Sequence, residues 1–316
     1  MSELTGRTPE EVRNEIKSTR HKAELPLYAI TIILSFITII VLWIFMFRDS
    51  GALDSIKDVL ATNNITDASP EFNQVLLVCI GFISLIGGIG CLAYFVITLL
   101  VGYYKLYAKE MGYSIRVSEK NFPELYAYVK EFTKNLGLKK EPEVYVTQTG
   151  SINAFACWVP GKYYIQINAE ILDLAYMENK DIETVAFVMA HEFGHVYFHH
   201  VNMFYKMWTQ FVGFIPVFGQ SFLLPLYERA KEYSADRVAQ ALMNGKQKEE
   251  CMMLIAVGRH LYKYADMDDY LANVNKDHNF IERFARFVLN ITAGHPIAPF
   301  RIAAMMDKTK KSGRLL

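Results

Sequence analysis

Two stretches without a single charged side chain, residues 26–47 and 72–104, constrain this chain more than anything else in it. Ile, Leu, Val and Phe dominate both, and about 20 such residues cross the hydrocarbon core of a bilayer as a helix. The spacing therefore predicts two transmembrane helices joined by an extracytoplasmic loop over about residues 48–73. The second run exceeds what one crossing needs, so it should tilt or project beyond the lipid. Its Gly81, Gly87, Gly88 and Gly90 would let another helix, the first one, approach closely. A cleaved secretory signal does not fit, because the first run is too long and lacks a small-residue cleavage pattern.

Ahead of these runs lies a leader, residues 1–25. Residues 8–24 read as a short amphipathic helix in which Thr8 caps, Pro9 takes the first position and Glu11 completes a capping box. Its mix of Arg13, Glu15, Lys17, Arg20 and Lys22 suits a solvated helix, one that skims a membrane, or a plain polar leader. The flanking charges give an orientation. Arg7, Arg13, Lys17, Arg20 and Lys22 precede the first run, and Lys105, Lys109, Arg116 and Lys120 follow the second. The loop between them has only Arg48 and Lys57. The positive-inside rule then puts both termini, and everything after residue 105, in the cytoplasm.

Within residues 105–316 one short pattern carries chemistry: His191-Glu192-Phe193-Gly194-His195, late in an apolar-patterned helix. Helical positions four apart lie on one face, so His191 and His195 aim two imidazoles at one point, with Glu192 beside it. Zinc takes such ligands tetrahedrally and keeps one position for water or substrate. Glu232, on a later helical stretch, is the candidate third ligand, and Asp236, one turn on, can accept the free N–H of a ligand histidine. The expected set is one Zn2+ per chain on His191, His195 and Glu232, with Glu192 as general base. His199 and His200 read as residues that suit the helix dipole at its C-terminal end. His21, His260 and His278 read as surface or core residues rather than ligands.

The rest of the composition mostly excludes. The 316 residues carry 33 basic and 33 acidic side chains, so nothing reads as a nucleic-acid footprint. Cys79, Cys91, Cys157 and Cys251 have no disulfide or zinc-site spacing. Residues 121–136 read as a helix capped by Asn121 and stopped by Gly137, and residues 143–147 and 163–168 as strands joined through a loop over 149–162. Asp181 caps the helix that carries the histidines through His200, and further helices are expected near 226–243, 248–264 and 280–290, with another from about 298. The fold class is α+β and mostly helical: two N-terminal transmembrane helices followed by a domain with a small sheet against the histidine-bearing helix.

Several motifs occur in a fixed order: Asn153-Ala154-Phe155-Ala156, the histidine signature, Glu232-Tyr233-Ser234-Ala235-Asp236, and His295-Pro296 followed by Arg301-Ile302. From about residue 120 to the C-terminus the chain resembles the membrane zinc metallopeptidases that include the heat-shock protease HtpX and the CAAX prenyl protease. The resemblance implies a zincin-like domain. It also implies that His295 stabilises the tetrahedral oxyanion, with Arg301 as its neighbour in that role or as a structural partner of the ligand carboxylate. Asn153, Ala154 and Phe155 are then substrate-binding residues, holding an extended peptide that adds to the edge of strand 163–168. Residues 203–227 depart from the family. They are apolar but too short for the two crossings of a membrane hairpin and are broken by Lys206, Gln210, Pro216, Gln220 and Pro225, which leaves an interfacial hairpin, a lid over the cleft, or a loop packed on the core.

The functional expectation is an integral-membrane zinc endopeptidase of the plasma or inner membrane. Its partners would be the bilayer and a polypeptide substrate, itself a membrane or misfolded protein, and a homo-oligomer stays open. The alternatives are processing of lipidated CAAX-type proteins, whose many-helix chamber two crossings cannot build, and a zinc-bound non-catalytic scaffold, which would not need Glu192.

Overall fold

In a computed structural model, residues 4–49, 58, 70–178, 180–215, 218–244, 250–258, 260–275, 279–307 and 313–315 are described. Most of the predicted 48–73 loop and His278 lie outside them. The elements begin with α1 (Pro9–Ile16), α2 (Glu24–Asp49), α3 (Pro70–Tyr113), β1 (Ile115–Arg116) and α4 (Pro123–Leu136). Strands β2 (Glu143–Thr147), β3 (Ala154–Val159) and β4 (Lys162–Asn168) follow, then α5 (Ala169–Asp173) and α6 (Ile182–Tyr197). The chain continues through α7 (Met203–Gln210), α8 (Leu224–Met243), α9 (Glu250–Val257), α10 (Met267–Asn275), α11 (Phe280–Thr292) and α12 (Ala298–Met306). It is mostly helical, with one small mixed sheet.

The sheet runs β1-β2-β4-β3, with β2 and β4 parallel and β3 antiparallel to β4. Two strands match the sequence reading, but β3 occupies what read as a loop. Its Ala154-Phe155-Ala156-Cys157-Trp158-Val159 run is a weak alternation that pairs because Gly161, at φ 90°, turns the chain tightly back into β4. This moves the sheet edge: β4 lies between β2 and β3, so the edge strand beside the cleft is β3 rather than 163–168. The core lies between the sheet, α4, α6 and α8, where Leu125, Phe132, Ile165, Phe187 and Phe193 are fully buried.

Two apolar helices precede this domain. Of α2, Glu24–Phe45 is apolar enough to cross a membrane, and of α3, Gly81–Tyr113. At 1.5 Å per residue the 44 residues of α3 extend about 66 Å, twice the hydrocarbon thickness of a bilayer. That end docks on the sheet: Tyr107 donates to Glu143 at 2.6 Å, and Thr147 donates to Glu110 at 2.9 Å. The glycines of α3 do not hold α2. Among the described residues, a side chain at Gly81, Gly87 or Gly90 would meet nothing within 4 Å, and one at Gly88 would meet Trp43 at 4.0 Å. Instead α2 packs against α7 and the turn Phe211–Phe214.

The leader also differs from its reading. Helix α1 has the expected capping box but ends at Ile16, and Val12 and Ile16 are wholly buried in the domain core. Backbone N–H groups of Leu4 and Thr5 donate to Glu131 at 2.7 and 3.0 Å, and Asn244 donates to the Thr5 carbonyl at 3.1 Å. Its charges thus face water while two apolar side chains fasten it to α4 and α8. Asn121 does not cap α4, because Phe122 takes the N-cap at φ 58° and Asn121 bonds back to the Arg116 carbonyl. Helix α6 stops at Tyr197, since His199 adopts φ 60°, and this turns His200 back toward the domain. The described residues of 203–227 form α7, short turns and the start of α8, folding back where Gly219 meets the Val212 carbonyl too closely for any side chain. Met203, Met207, Val212 and Leu223 are buried, the segment packs against α2, and Lys206 lines the cleft.

Candidate metal centre

Helices α6 and α8 position the histidine and glutamate motifs by crossing at closest range where Gly194 meets Ala235. A Cβ on Gly194 would lie 2.9 Å from the Ala235 Cα and 3.0 Å from its carbonyl oxygen, so a hydrogen is required there. At this approach the face bearing His191 and His195 meets the face bearing Glu232 and Asp236. Asp181 fixes the start of α6, accepting from the Thr184 N–H at 3.1 Å. Pro225 opens α8, and Asn244, in the left-handed region, closes it.

His191 Nε2 and His195 Nε2 lie 3.2 Å apart, and the Glu232 carboxylate is 3.4 Å from each, through a different oxygen. Two imidazole nitrogens and a carboxylate oxygen form a donor set that zinc accepts. Zinc bonds of about 2.0–2.1 Å imply tetrahedral edges of about 3.3–3.4 Å, close to the separations present. The three side chains are a group able to hold a metal ion. They line a cleft of about 440 Å3 together with Glu192, His295, Arg301, Asn153, Ala154 and Phe155. Asp236 stands behind His191 rather than in the cleft.

Each imidazole has its own outer partner. His191 Nδ1 is 2.8 Å from Asp236 Oδ1, and Arg301 donates to both oxygens of that carboxylate at 2.6 and 2.9 Å. Arg301 also reaches Glu232 at 3.5 Å. Arg301 thus forks onto Asp236 and also lines the cleft beside Glu232. His295 Nδ1 sits 3.2 Å from Glu232 at the cleft mouth, with its side chain 76% exposed.

The electrostatics follow from this packing. Burial pulls the His191 imidazole down, but Asp236 and Glu232 outweigh it and push its pKa up to about 10. Burial raises Glu232, yet hydrogen bonds from His191, His195 and His295 hold it well below the usual carboxylate range. Asp236 is likewise raised by burial and lowered further by the Arg301 charge and His191. Hydrogen bonding to Glu232 raises His295.

His195 has a longer chain of partners, one that the sequence reading missed. Its Nδ1 lies 2.9 Å from Nδ1 of His200, whose Nε2 lies 3.1 Å from Oε1 of Glu24 in the first turn of α2. His200 is buried, with Phe198 stacked on its ring. Its position five residues after His195 was visible in the sequence, but nothing linked it to Glu24, 176 residues away. Of the histidines read as bystanders, His21 is buried against Tyr233, and exposed His199 bonds the Tyr163 hydroxyl at 2.8 Å.

Residues 119–309 match the family described as Peptidase family M48. Neither a curated protein nor a solved structure gave a match to the chain.

Proposed function

We propose that this chain, which belongs to peptidase family M48, is an integral-membrane zinc endopeptidase acting on membrane or misfolded proteins at the cytoplasmic face. Membership makes it a metallopeptidase of a zinc-dependent family. The observation that carries the finer reading is the meeting of His191, His195 and Glu232 in a cleft that also contains Glu192 and is walled by an edge strand.

In this reading His191, His195 and Glu232 hold the zinc, while Asp236 and Arg301 hold His191 and Glu232 in place. When bound, zinc polarises a carbonyl and lowers the pKa of its water toward 7. Glu192 takes the proton of the attacking water and later delivers it to the leaving amine. His295, raised in pKa by Glu232 and open to the cleft mouth, donates to the oxygen on which negative charge develops. A substrate in extended form adds to β3, with Asn153, Ala154 and Phe155 along its backbone.

Membrane attachment is supported by α2 and α3. It is supported again by α11, which leaves Phe280 and Ile281 75% exposed and Phe284 57% exposed, beside Arg283 and Arg286. Glu192→Gln in the full-length protein should keep zinc and lose peptide-bond cleavage. Undiminished cleavage of a membrane substrate by that variant would overturn the mechanism. For topology, a cysteine replacing Asn63 should be labelled from outside intact cells and one replacing Lys140 should not; the reverse pattern removes the cytoplasmic assignment.

A further inference from the structure

The structure assigns Glu24, at the start of the first apolar helix, as a positioning residue for the ligand His195, acting through His200. This rests on the metal-centre reading above. Glu24 lies ahead of the residues matched by the family, so it belongs to the membrane-anchoring part of this chain.

Proton bookkeeping along the chain leaves one arrangement. His195 Nε2 faces the ligand cluster with its lone pair, so its proton sits on Nδ1 and points at His200 Nδ1, 2.9 Å away. His200 must accept there, which puts its own proton on Nε2, facing Glu24 at 3.1 Å. Because its Nδ1 accepts and its Nε2 donates, the buried His200 ring is neutral. A carboxylate at the far end therefore selects the His200 tautomer, and that tautomer turns the His195 lone pair toward the metal position.

Glu24 is built for the task. It is 2% exposed, and Arg20 Nε lies 2.9 Å away to hold its charge. Its other oxygen accepts from the hydroxyl of Ser234, which stands between Glu232 and Asp236 on α8. The Ser234 oxygen in turn accepts from the His21 N–H at 2.9 Å, which fixes the chain just before α2 begins. One side chain at the membrane boundary thus touches the end of the helix carrying His195 and the middle of the helix carrying Glu232. A carboxylate with only a structural role would need neither the His200 contact nor this tautomer.

The test uses the full chain in detergent or nanodiscs, with Zn2+ and Co2+ as probes. Glu24→Gln should weaken Zn2+ binding about tenfold in chelator competition, shift the visible cobalt spectrum, and lower kcat with little change in KM. In a His200→Gln background the same exchange should add nothing, because the link is already cut. Losses that multiply in the double variant, or a Glu24→Gln protein with unchanged affinity and cobalt spectrum, overturn the proposal. Should Glu24→Gln fail to fold, Glu24→Asp keeps the charge but shortens the reach, and an unchanged cobalt spectrum there overturns it equally. If neither Glu24 variant folds, His200→Gln alone decides by the same two readouts. A wild-type protein that takes up neither ion refutes the metal centre itself; one that binds both but ignores Glu24 refutes only the positioning role.

Discussion

The two imidazoles of the cluster are chemically alike and held in opposite ways. His191 leans on a charge in direct contact: Asp236 is one turn from Glu232 on the same helix and is clamped by Arg301. His195 leans on a neutral ring, and the charge stands one link farther off, on the first apolar helix. The first arrangement is internal to the catalytic fold and would survive wherever that fold went. The second ties the geometry of His195 to the seating of the first apolar helix. A directly bonded carboxylate raises ligand basicity strongly, whereas a relayed one mainly fixes orientation.

Removing the direct carboxylate should have the largest effect. Asp236→Ala frees His191 and strips buried Arg301 of its forked carboxylate, leaving the 3.5 Å contact to Glu232, so a loss of about 3 kcal/mol in stability is expected. Metal affinity should fall about 100-fold, at the upper end for such outer partners and clearly more than for Glu24→Gln. Thermal melts and chelator competition measure both, and equal losses from the two variants would erase the contrast.

Gly194→Ala attacks what both arms share. The added methyl must push the Ala235 backbone away, at a cost of about 1–3 kcal/mol, and should widen the gap between the histidines and Glu232. Bound metal per chain should drop while the far-UV spectrum stays helical. Full metal occupancy in this variant would show that the close crossing is not what assembles the site.

The smallest effect is expected at the other junction between an apolar helix and the domain, where Glu143 meets Tyr107, Tyr145 and Lys162. Burial raises this carboxyl, but the Tyr107, Lys162 and Tyr145 hydrogen bonds outweigh it and lower its pKa. A depressed acid stabilises the fold above its unfolded value of about 4.3, and the gain vanishes as pH falls through the folded value. Glu143→Gln should therefore cost about 1 kcal/mol at neutral pH, with the gap to wild type closing on acidification. Metal affinity should not change; if it does, anchoring in general rather than the Glu24 path tunes the site.

How much of this was legible depended on whether partners were local. Four-residue spacings on single helices placed His191 with His195, and Glu232 with Asp236, before any fold was known. The cap at Asp181, the stop at Gly137 and the strand Glu143–Thr147 rest on neighbouring residues and were equally readable. Strand β3 was not, because its run lacks clear alternation and exists through pairing with β4. The leader was misjudged for a related reason: two apolar side chains, Val12 and Ile16, bury it, and only the facing helices reveal that they have somewhere to go.

Periodicity and charge alone determined that this chain carries two apolar helices, a two-histidine face and a carboxylate pair fit to complete it. These are consequences of helix geometry and of the cost of charge in lipid, and both act within a few turns. Which carboxylate supports which imidazole, which strand forms the edge, and that the first apolar helix reaches back to the cluster were decided by tertiary packing. Contacts such as Gly194 with Ala235 and Glu24 with His200 join residues far apart in the chain, and their energy arises only once α6, α8 and α2 are packed together.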